Sequence, residues 1–129
     1  MSIKEIPDTL ECPNLRFLSV HVKDHCFQFS RTFFEGMREL KVLDLTKMSL
    51  SPLPSSINLL TSLQTLCLDQ CELGDIAVIG ELKNLEILSL FKSELTELLR
   101  EIGLLTRLRL LDLRNCTKLK VIPPMSYQA

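Results

Sequence analysis

The sequence is poor in aromatic residues: its 129 residues include six phenylalanines, one tyrosine and no tryptophan. Glycine and proline are also scarce, with four and six copies. Fifteen basic residues oppose sixteen acidic ones, and the formal net charge of −1 excludes the broad basic surface that non-specific nucleic-acid binding requires. We therefore expect an aliphatic core and no nucleic-acid partner.

Long apolar runs are missing as well. Charged residues interrupt the apolar-rich stretches well short of the ~20 apolar residues that a membrane-spanning helix needs. The first ten residues hold no continuous apolar segment typical of a secretory signal, and the five cysteines lack the dense spacing of a disulfide-rich secreted scaffold. We expect no membrane span, reduced thiols and a cytoplasmic location.

Leucine is abundant, with 28 copies among the 129 residues, and it recurs in a fixed frame. Four segments carry leucine at their first, fourth and sixth positions, and they start at Leu40, Leu63, Leu85 and Leu108. A looser copy starts at Leu15. Spacings of 22 or 23 residues between the four clear copies fall within the period of leucine-rich repeats.

This frame predicts an α/β fold, a leucine-rich-repeat solenoid of about five repeats. A parallel β-sheet should form the concave face, with short helices or 3-10 turns on the convex face. Residues 1–129 are expected to form one domain, with a partial repeat at 1–14, repeats starting near 15, 40, 63, 85 and 108, and a frayed tail at 125–129. The ninth position should turn the chain away from each strand, and it holds Met48, Cys71, Ser93 and Cys116.

Core positions follow from the same register. The fourth- and sixth-position leucines should point inward while alternate strand residues point outward. In the return segments we expect core-facing side chains at Ile57, Leu60, Leu82, Ile102 and Leu105. Where the first copy loses its leucines, the core should be sealed by Phe29, Phe33, Phe34 and Met37.

The outward residues at the third, fifth, seventh and eighth positions should form the concave face, with an apolar column beside a polar column of both charge signs. Phe91 is an apolar residue at a seventh position. It is either an ordinary isolated apolar side chain or an anchor for a protein partner. The candidate partner-binding residues are His21, Asp44, Thr46, Lys47, Asp69, Gln70, Phe91, Lys92, Asp112, Arg114 and Asn115.

No residue pattern indicates catalysis. Asp44 and Asp112 lie three repeats apart, about 14 Å at the spacing of parallel strands, whereas paired catalytic carboxylates need roughly 5 to 9.5 Å. Asp69 is closer to Asp44, but no histidine accompanies the two carboxylates, and Lys47 offers them a simple ion pair. We predict that the chain is not an enzyme.

Cofactor and metal sites are not expected either. The glycines do not form a phosphate-binding loop motif, which argues against nucleotide binding. His21, His25 and Cys26, with Cys67 and Cys71 further on, suggest zinc, but Cys67 should face outward and Cys71 inward, so that they cannot share one ion. We therefore predict no metal and no cofactor.

The repeats resemble a known protein family in their amino-acid sequence as well as in their period. FFEGMRELKVLDLTKM (residues 33–48), the segment 53–90 and LRLLDLRNCTKLKVIP (residues 108–123) resemble the leucine-rich-repeat region of plant intracellular disease-resistance proteins of the coiled-coil nucleotide-binding (NBS-LRR) class. The resemblance extends over residues 3–124. It implies a protein-recognition module that senses pathogen effectors or guarded host proteins and keeps an attached nucleotide-binding domain inactive. The implied partners are therefore an effector, a guarded host protein or that nucleotide-binding domain.

Two alternatives stay open. The half repeat at the start and the ragged end are also consistent with a truncated or orphaned fragment that has only a structural or scaffolding role in protein interaction. Substrate receptors of ubiquitin ligases use similar repeats, but they need an adaptor-binding domain, and this sequence holds none.

Overall fold

The computed structural model describes residues 9–22, 27–51, 53–96 and 100–120. The predicted tail at 125–129, most of the partial repeat at 1–14, and the residues His25 and Cys26 lie outside the described residues. In the part of the chain that is described, no helix is long and apolar enough to cross a membrane.

Within the described residues, five strands of three residues each form a parallel sheet. They pair in chain order, each with the strand of the next repeat, so that the pairing joins equivalent positions such as Leu43 with Leu66 and Leu66 with Leu88. Two further strands of two residues pair separately, also in parallel. The strands of the main sheet are β1 (Phe17–Ser19), β2 (Val42–Asp44), β4 (Thr65–Cys67), β6 (Ile87–Ser89) and β7 (Leu110–Asp112), and the short pair is β3 (Ser49–Leu50) with β5 (Glu72–Leu73).

The strand leucines form the core, as the frame predicts. The fourth-position side chains of β1, β2, β4 and β6 are fully buried, and so are the sixth-position leucines that follow β2, β4 and β6. Burying a leucine side chain contributes about 1.5–3 kcal/mol, so this stack is the main source of stability. In β7 and just beyond it, Leu111 and Leu113 are only half-buried, because no described strand pairs with the outer edge of β7.

Short helices return the chain from one strand to the next. In the described part of the chain, three are 3-10 helices, at Phe33–Gly36, Ser55–Leu59 and Ala77–Glu81, and the fourth is a short α-helix, α1 (Arg100–Gly103). Each helix contacts the helix of the next repeat. The predicted core side chains of these segments are all fully buried: Ile57, Leu60, Leu82, Ile102 and Leu105. The fold is therefore mixed α/β, with a five-stranded parallel sheet and short helices.

A phenylalanine cluster takes the place of leucines around the first helix. Phe33 and Phe34 are fully buried, with ring centroids 5.0 Å apart, and Met37 is buried beside them. Phe29 is only half-buried and covers the pair, its centroid 4.8 Å from that of Phe33. The cluster seals the core as predicted, with Phe29 as its outer layer.

The ninth-position side chains bond to the backbone of the preceding repeat. The Cys71 thiol donates to the carbonyl of Leu45 at 2.8 Å, and the Ser93 hydroxyl donates to the carbonyl of Leu68. The Cys116 thiol donates to the Leu90 carbonyl at 2.8 Å. Each acceptor is a sixth-position residue, so the same bond recurs at three successive junctions. The thiol and hydroxyl groups supply donors to the carbonyls of Leu45 and Leu68, while the Leu90 carbonyl also accepts from the backbone N–H of Ser93 at 3.1 Å.

Two details distinguish these junctions. Ser93 also accepts a hydrogen bond from the backbone N–H of Cys71, at 3.3 Å, and therefore serves two buried groups. Burial raises the pKa of the Cys71 thiol to about 11, so this thiol keeps the proton that it donates. Met48 occupies the same repeat position and has no proton to donate.

The eighth position of every clear repeat adopts a left-handed backbone. Lys47, Gln70, Lys92 and Asn115 have φ angles of 62°, 58°, 55° and 60°. This conformation costs an ordinary L-residue roughly 1–2 kcal/mol, and asparagine tolerates it best. The chain turns out of each strand at this residue, directly before the ninth-position bond. The repeat register predicts only that these residues lie on the surface.

We predict that Ser93→Ala lowers the free energy of unfolding by about 1–3 kcal/mol, because it leaves a buried carbonyl and a buried N–H without their partner. Urea unfolding followed by circular dichroism measures the change. Ser93→Cys should retain most of the stability, since cysteine makes the equivalent bond at two other junctions. Ser55→Ala, at an exposed serine, is the control and should change it by less than about 0.5 kcal/mol. Equal effects of Ser93→Ala and Ser55→Ala would contradict the role of this bond.

A second prediction concerns the left-handed turn. Lys92→Gly should raise the free energy of unfolding by about 0.5–1 kcal/mol, because glycine adopts a positive φ without steric cost. Lys83 is also exposed but its φ is not positive. Lys83→Gly should therefore destabilise the chain, by about 0.4–1 kcal/mol, through the added entropy of the unfolded state. The same urea titration compares the two, and a change of equal sign in both variants would contradict the prediction.

Candidate protein-binding face

One side of the five-stranded sheet is open to solvent. It carries the third-, fifth-, seventh- and eighth-position residues of the repeats, and we call it the open face. The structure places all eleven predicted partner-binding residues there, each of them exposed or half-buried: His21, Asp44, Thr46, Lys47, Asp69, Gln70, Phe91, Lys92, Asp112, Arg114 and Asn115.

An apolar stripe crosses the open face at right angles to the strands. It consists of the third-position residues, which the register places side by side: Phe17, Val42, Thr65, Ile87 and Leu110. Three of these are large and well exposed, with 58% of Phe17, 36% of Ile87 and 51% of Leu110 accessible. The register predicts this apolar column, although its members were not among the candidate partner-binding residues. Its signal was available, because an apolar residue recurs at an outward strand position in four of the five repeats.

Beside the stripe, the polar side chains are held by bonds within the face. Asp44 Oδ1 accepts hydrogen bonds from the Thr46 backbone N–H, at 3.1 Å, and from the Thr46 hydroxyl. Among the described residues, Lys47 forms no ion pair with Asp44 or with Asp69. The expectation of that ion pair was therefore wrong, because Thr46 satisfies the carboxylate through the turn.

Asp69 connects two repeats across the face. Its Oδ1 accepts hydrogen bonds from the Ser89 hydroxyl and from the Phe91 backbone N–H, at 3.0 Å. Both donors belong to the following repeat. Asp69 therefore orders the neighbouring strand as well as its own turn, and a change there alters the face and the junction together.

Cys67 lies between these two aspartates on the face. Its Sγ is 3.6 Å from the Thr46 hydroxyl oxygen. Burial raises the pKa of the Cys67 thiol, and the charges of Asp44 and Asp69 raise it further. Because the thiolate is the reactive form, this environment makes Cys67 a weak nucleophile near neutral pH.

Phe91 is covered by an arginine. The guanidinium carbon of Arg114 lies 5.3 Å from the Phe91 ring centroid, a cation–π distance. The Arg114 Nε and Nη2 donate to the two oxygens of Asp112 at 3.0 and 2.9 Å. These hydrogen bonds hold the pKa of Asp112 below its usual value. Phe91 is half-buried rather than fully exposed.

The open face presents apolar and polar side chains suited to binding. Among the described residues, no group of three histidine, cysteine or acidic side chains is placed to hold a metal ion. Ser19 and His21 form a single polar pair at the β1 edge, 3.0 Å apart. An apolar stripe beside fixed polar groups is the composition expected of a surface that binds another protein.

Comparison with known proteins agrees with the resemblance at a coarser level. No protein-family model matches the chain. Over 77 residues, 59% of this chain, the sequence is 40% identical to a probable disease resistance protein of Arabidopsis thaliana. The match spans only 9% of the Arabidopsis protein. The similarity supports a protein related to disease resistance.

The Arg114 contacts give a testable prediction. Arg114→Gln should raise the pKa of Asp112 toward its ordinary value, because the charged donor that stabilises the carboxylate is removed. A carboxyl carbon NMR titration measures this pKa directly. Arg109→Gln is the matched control, since Arg109 is an exposed arginine that pairs with Glu86 at 3.5 Å. A pKa of Asp112 that stays low in the Arg114 variant would show that another group stabilises the carboxylate.

Proposed function

We propose that this chain is a non-enzymatic protein-recognition module in plant defence. In this proposal it is part of the leucine-rich-repeat solenoid of a cytoplasmic NBS-LRR receptor. The observation that carries it is the open face, where an exposed apolar stripe adjoins polar groups already fixed by internal hydrogen bonds. The similarity to a probable disease resistance protein supports the biological setting.

The division of residues between core and face supports a binding role. Inward leucines and the ninth-position bonds hold the strands together, while the open face contributes little to the core. Polar groups such as Asp69 and Arg114 are already oriented before a partner arrives, which lowers the entropy cost of binding. A rigid sheet with a pre-oriented surface is suited to discriminating between similar proteins.

The proposed partners are a pathogen effector, a guarded host protein, or the nucleotide-binding domain of the same receptor. In the last case the open face would hold that domain inactive until a competing protein displaced it. Competition of this kind requires that both occupants use overlapping parts of one surface. The proposal therefore places autoinhibition and recognition on the same face.

Affinity capture tests the proposal. The 129-residue chain would be immobilised and exposed to leaf extracts from healthy and infected plants, and the bound proteins quantified by mass spectrometry. In the double variant Lys92→Glu/Arg114→Glu, recovery of the specific partner should fall at least about tenfold, since the charge at two open-face residues is reversed. Circular dichroism would verify that the variant is folded.

The matched control is Arg38→Glu/Lys83→Glu. Both residues are exposed and lie in the segments that precede β2 and β6, away from the open face. This control carries the same change in net charge and should retain the partner. Equal recovery by both double variants would contradict recognition through the open face.

A further inference from the structure

The apolar stripe lies between two columns of opposite charge. The residues that directly precede the strands include three cations and one acid: Arg16, Lys41, Gln64, Glu86 and Arg109. The last residues of the strands include two carboxylates and no cation: Ser19, Asp44, Cys67, Ser89 and Asp112. We call these the basic column and the acidic column. Arg109 pairs with Glu86 within the basic column, and Arg114 pairs with Asp112. The charges left for an occupant of the stripe are therefore those of Arg16 and Lys41 on one flank and of Asp44 on the other.

Groups in both columns remain available to a partner. Within the described part of the chain, Arg16 and Lys41 take part in no ion pair. Both intramolecular bonds to the Asp44 carboxylate end on Oδ1, so Oδ2 can accept from a partner. The stripe between the columns is exposed at Phe17, Ile87 and Leu110.

The dimensions of the stripe fit a helix. Five parallel strands spaced about 4.8 Å apart give a stripe about 19 Å long, which equals the length of roughly 13 helical residues. The basic and acidic columns are three strand residues apart, about 10 Å, close to the diameter of an α-helix with its side chains. A helix lying along the stripe would contact both columns at once.

An extended peptide fits less well. Along a helix, one apolar side chain per turn recurs every 5.4 Å, near the strand spacing of about 4.8 Å. In an extended chain, side chains on one side recur about every 6.6 Å. This distance exceeds the strand spacing by about 1.8 Å, so after three strands the side chains are displaced by about one whole strand. The repeat distance therefore favours a helix over a strand as the occupant.

We propose that the stripe binds an amphipathic α-helix of the partner protein, running across the five strands. The helix presents one apolar residue per turn to the stripe, acidic residues to the basic column and basic residues to the acidic column. Because the two flanks differ in charge, only one direction of the helix pairs both columns favourably. This inference rests on the proposed function and specifies the kind of partner segment that the open face takes.

Two synthetic helical peptides of identical composition test this inference on the full 129-residue chain. Both carry leucine at i, i+4, i+7 and i+11. In the segregated peptide all glutamates lie on one flank and all lysines on the other, whereas in the mixed peptide they alternate within each flank. Fluorescence anisotropy should give a dissociation constant about tenfold lower for the segregated peptide, with the difference declining at high salt. Equal affinities, or no binding of either peptide, would overturn the proposal.

Chain variants locate the binding. Ile87→Lys, at the fourth of the five strands, should abolish binding of the segregated peptide. Leu104→Lys is the matched control, because Leu104 is 57% exposed but lies next to α1, outside the stripe. Lys41→Glu should remove most of the difference between the two peptides. Binding that Leu104→Lys weakens as much as Ile87→Lys does would also overturn the proposal.

Two further measurements separate the alternatives. If the chain self-associates in sedimentation and Ile87→Lys makes it monomeric, the stripe is covered by a second copy and the helix proposal is overturned. If the protein captured from leaf extract needs Lys92 and Arg114 while neither peptide binds, the helix proposal fails and the proposed function stands. Failure of both experiments would reject the proposed function as well.

Discussion

Stacking of each repeat on the next is the constraint on which the rest of the structure depends. A three-residue strand has too few hydrogen bonds to persist alone, and no single repeat can enclose its own leucines. Parallel pairing of equivalent positions solves both problems, because each strand is completed by its neighbours and each layer of leucines covers the next. Spacings of 22 and 23 residues keep that register from Leu40 to Leu108.

The turn after each strand shows how closely this stacking is enforced. The chain leaves the strand through a left-handed residue, although in three of the four clear repeats that residue is lysine or glutamine. The unfavourable backbone is tolerated because it places the ninth-position side chain where Cys71, Ser93 and Cys116 reach a carbonyl of the preceding repeat. Local strain and a bond between repeats are thus parts of one turn.

Most of the framework could be predicted from the sequence, because leucine spacing determines which residues point inward. The strand positions, the buried leucines, the 3-10 returns and the phenylalanine seal all follow from that spacing. The left-handed φ at Lys92 could not be predicted, since lysine shows no preference for it. The carbonyls that accept the ninth-position hydrogen bonds could also not be predicted, because they depend on the exact offset between neighbouring repeats.

The candidate face was predicted less completely than the framework. All eleven residues lie on the open face, and the register also predicts its apolar column, but the members of that column were not among the candidate residues because exposed apolar side chains are common on protein surfaces. Pairing among side chains was also hard to foresee. The sequence places two possible partners near the Asp44 carboxylate, Thr46 and Lys47. The geometry of the turn brings Thr46 within hydrogen-bonding distance. Likewise, Arg114 bends over Phe91 because Asp112 fixes its guanidinium.

The alternation of inward and outward residues along each strand has a consequence for how such a chain changes over generations. A substitution at an exposed third-position residue such as Phe17 or Leu110 reaches solvent, where most replacements alter the free energy of unfolding by less than about 0.5 kcal/mol. A substitution at the adjacent leucine opens a cavity that costs several times as much. Outward residues can therefore be substituted repeatedly while the buried leucines are retained. A lineage under pressure from fast-changing molecules can use this architecture to diversify without first having to gain stability.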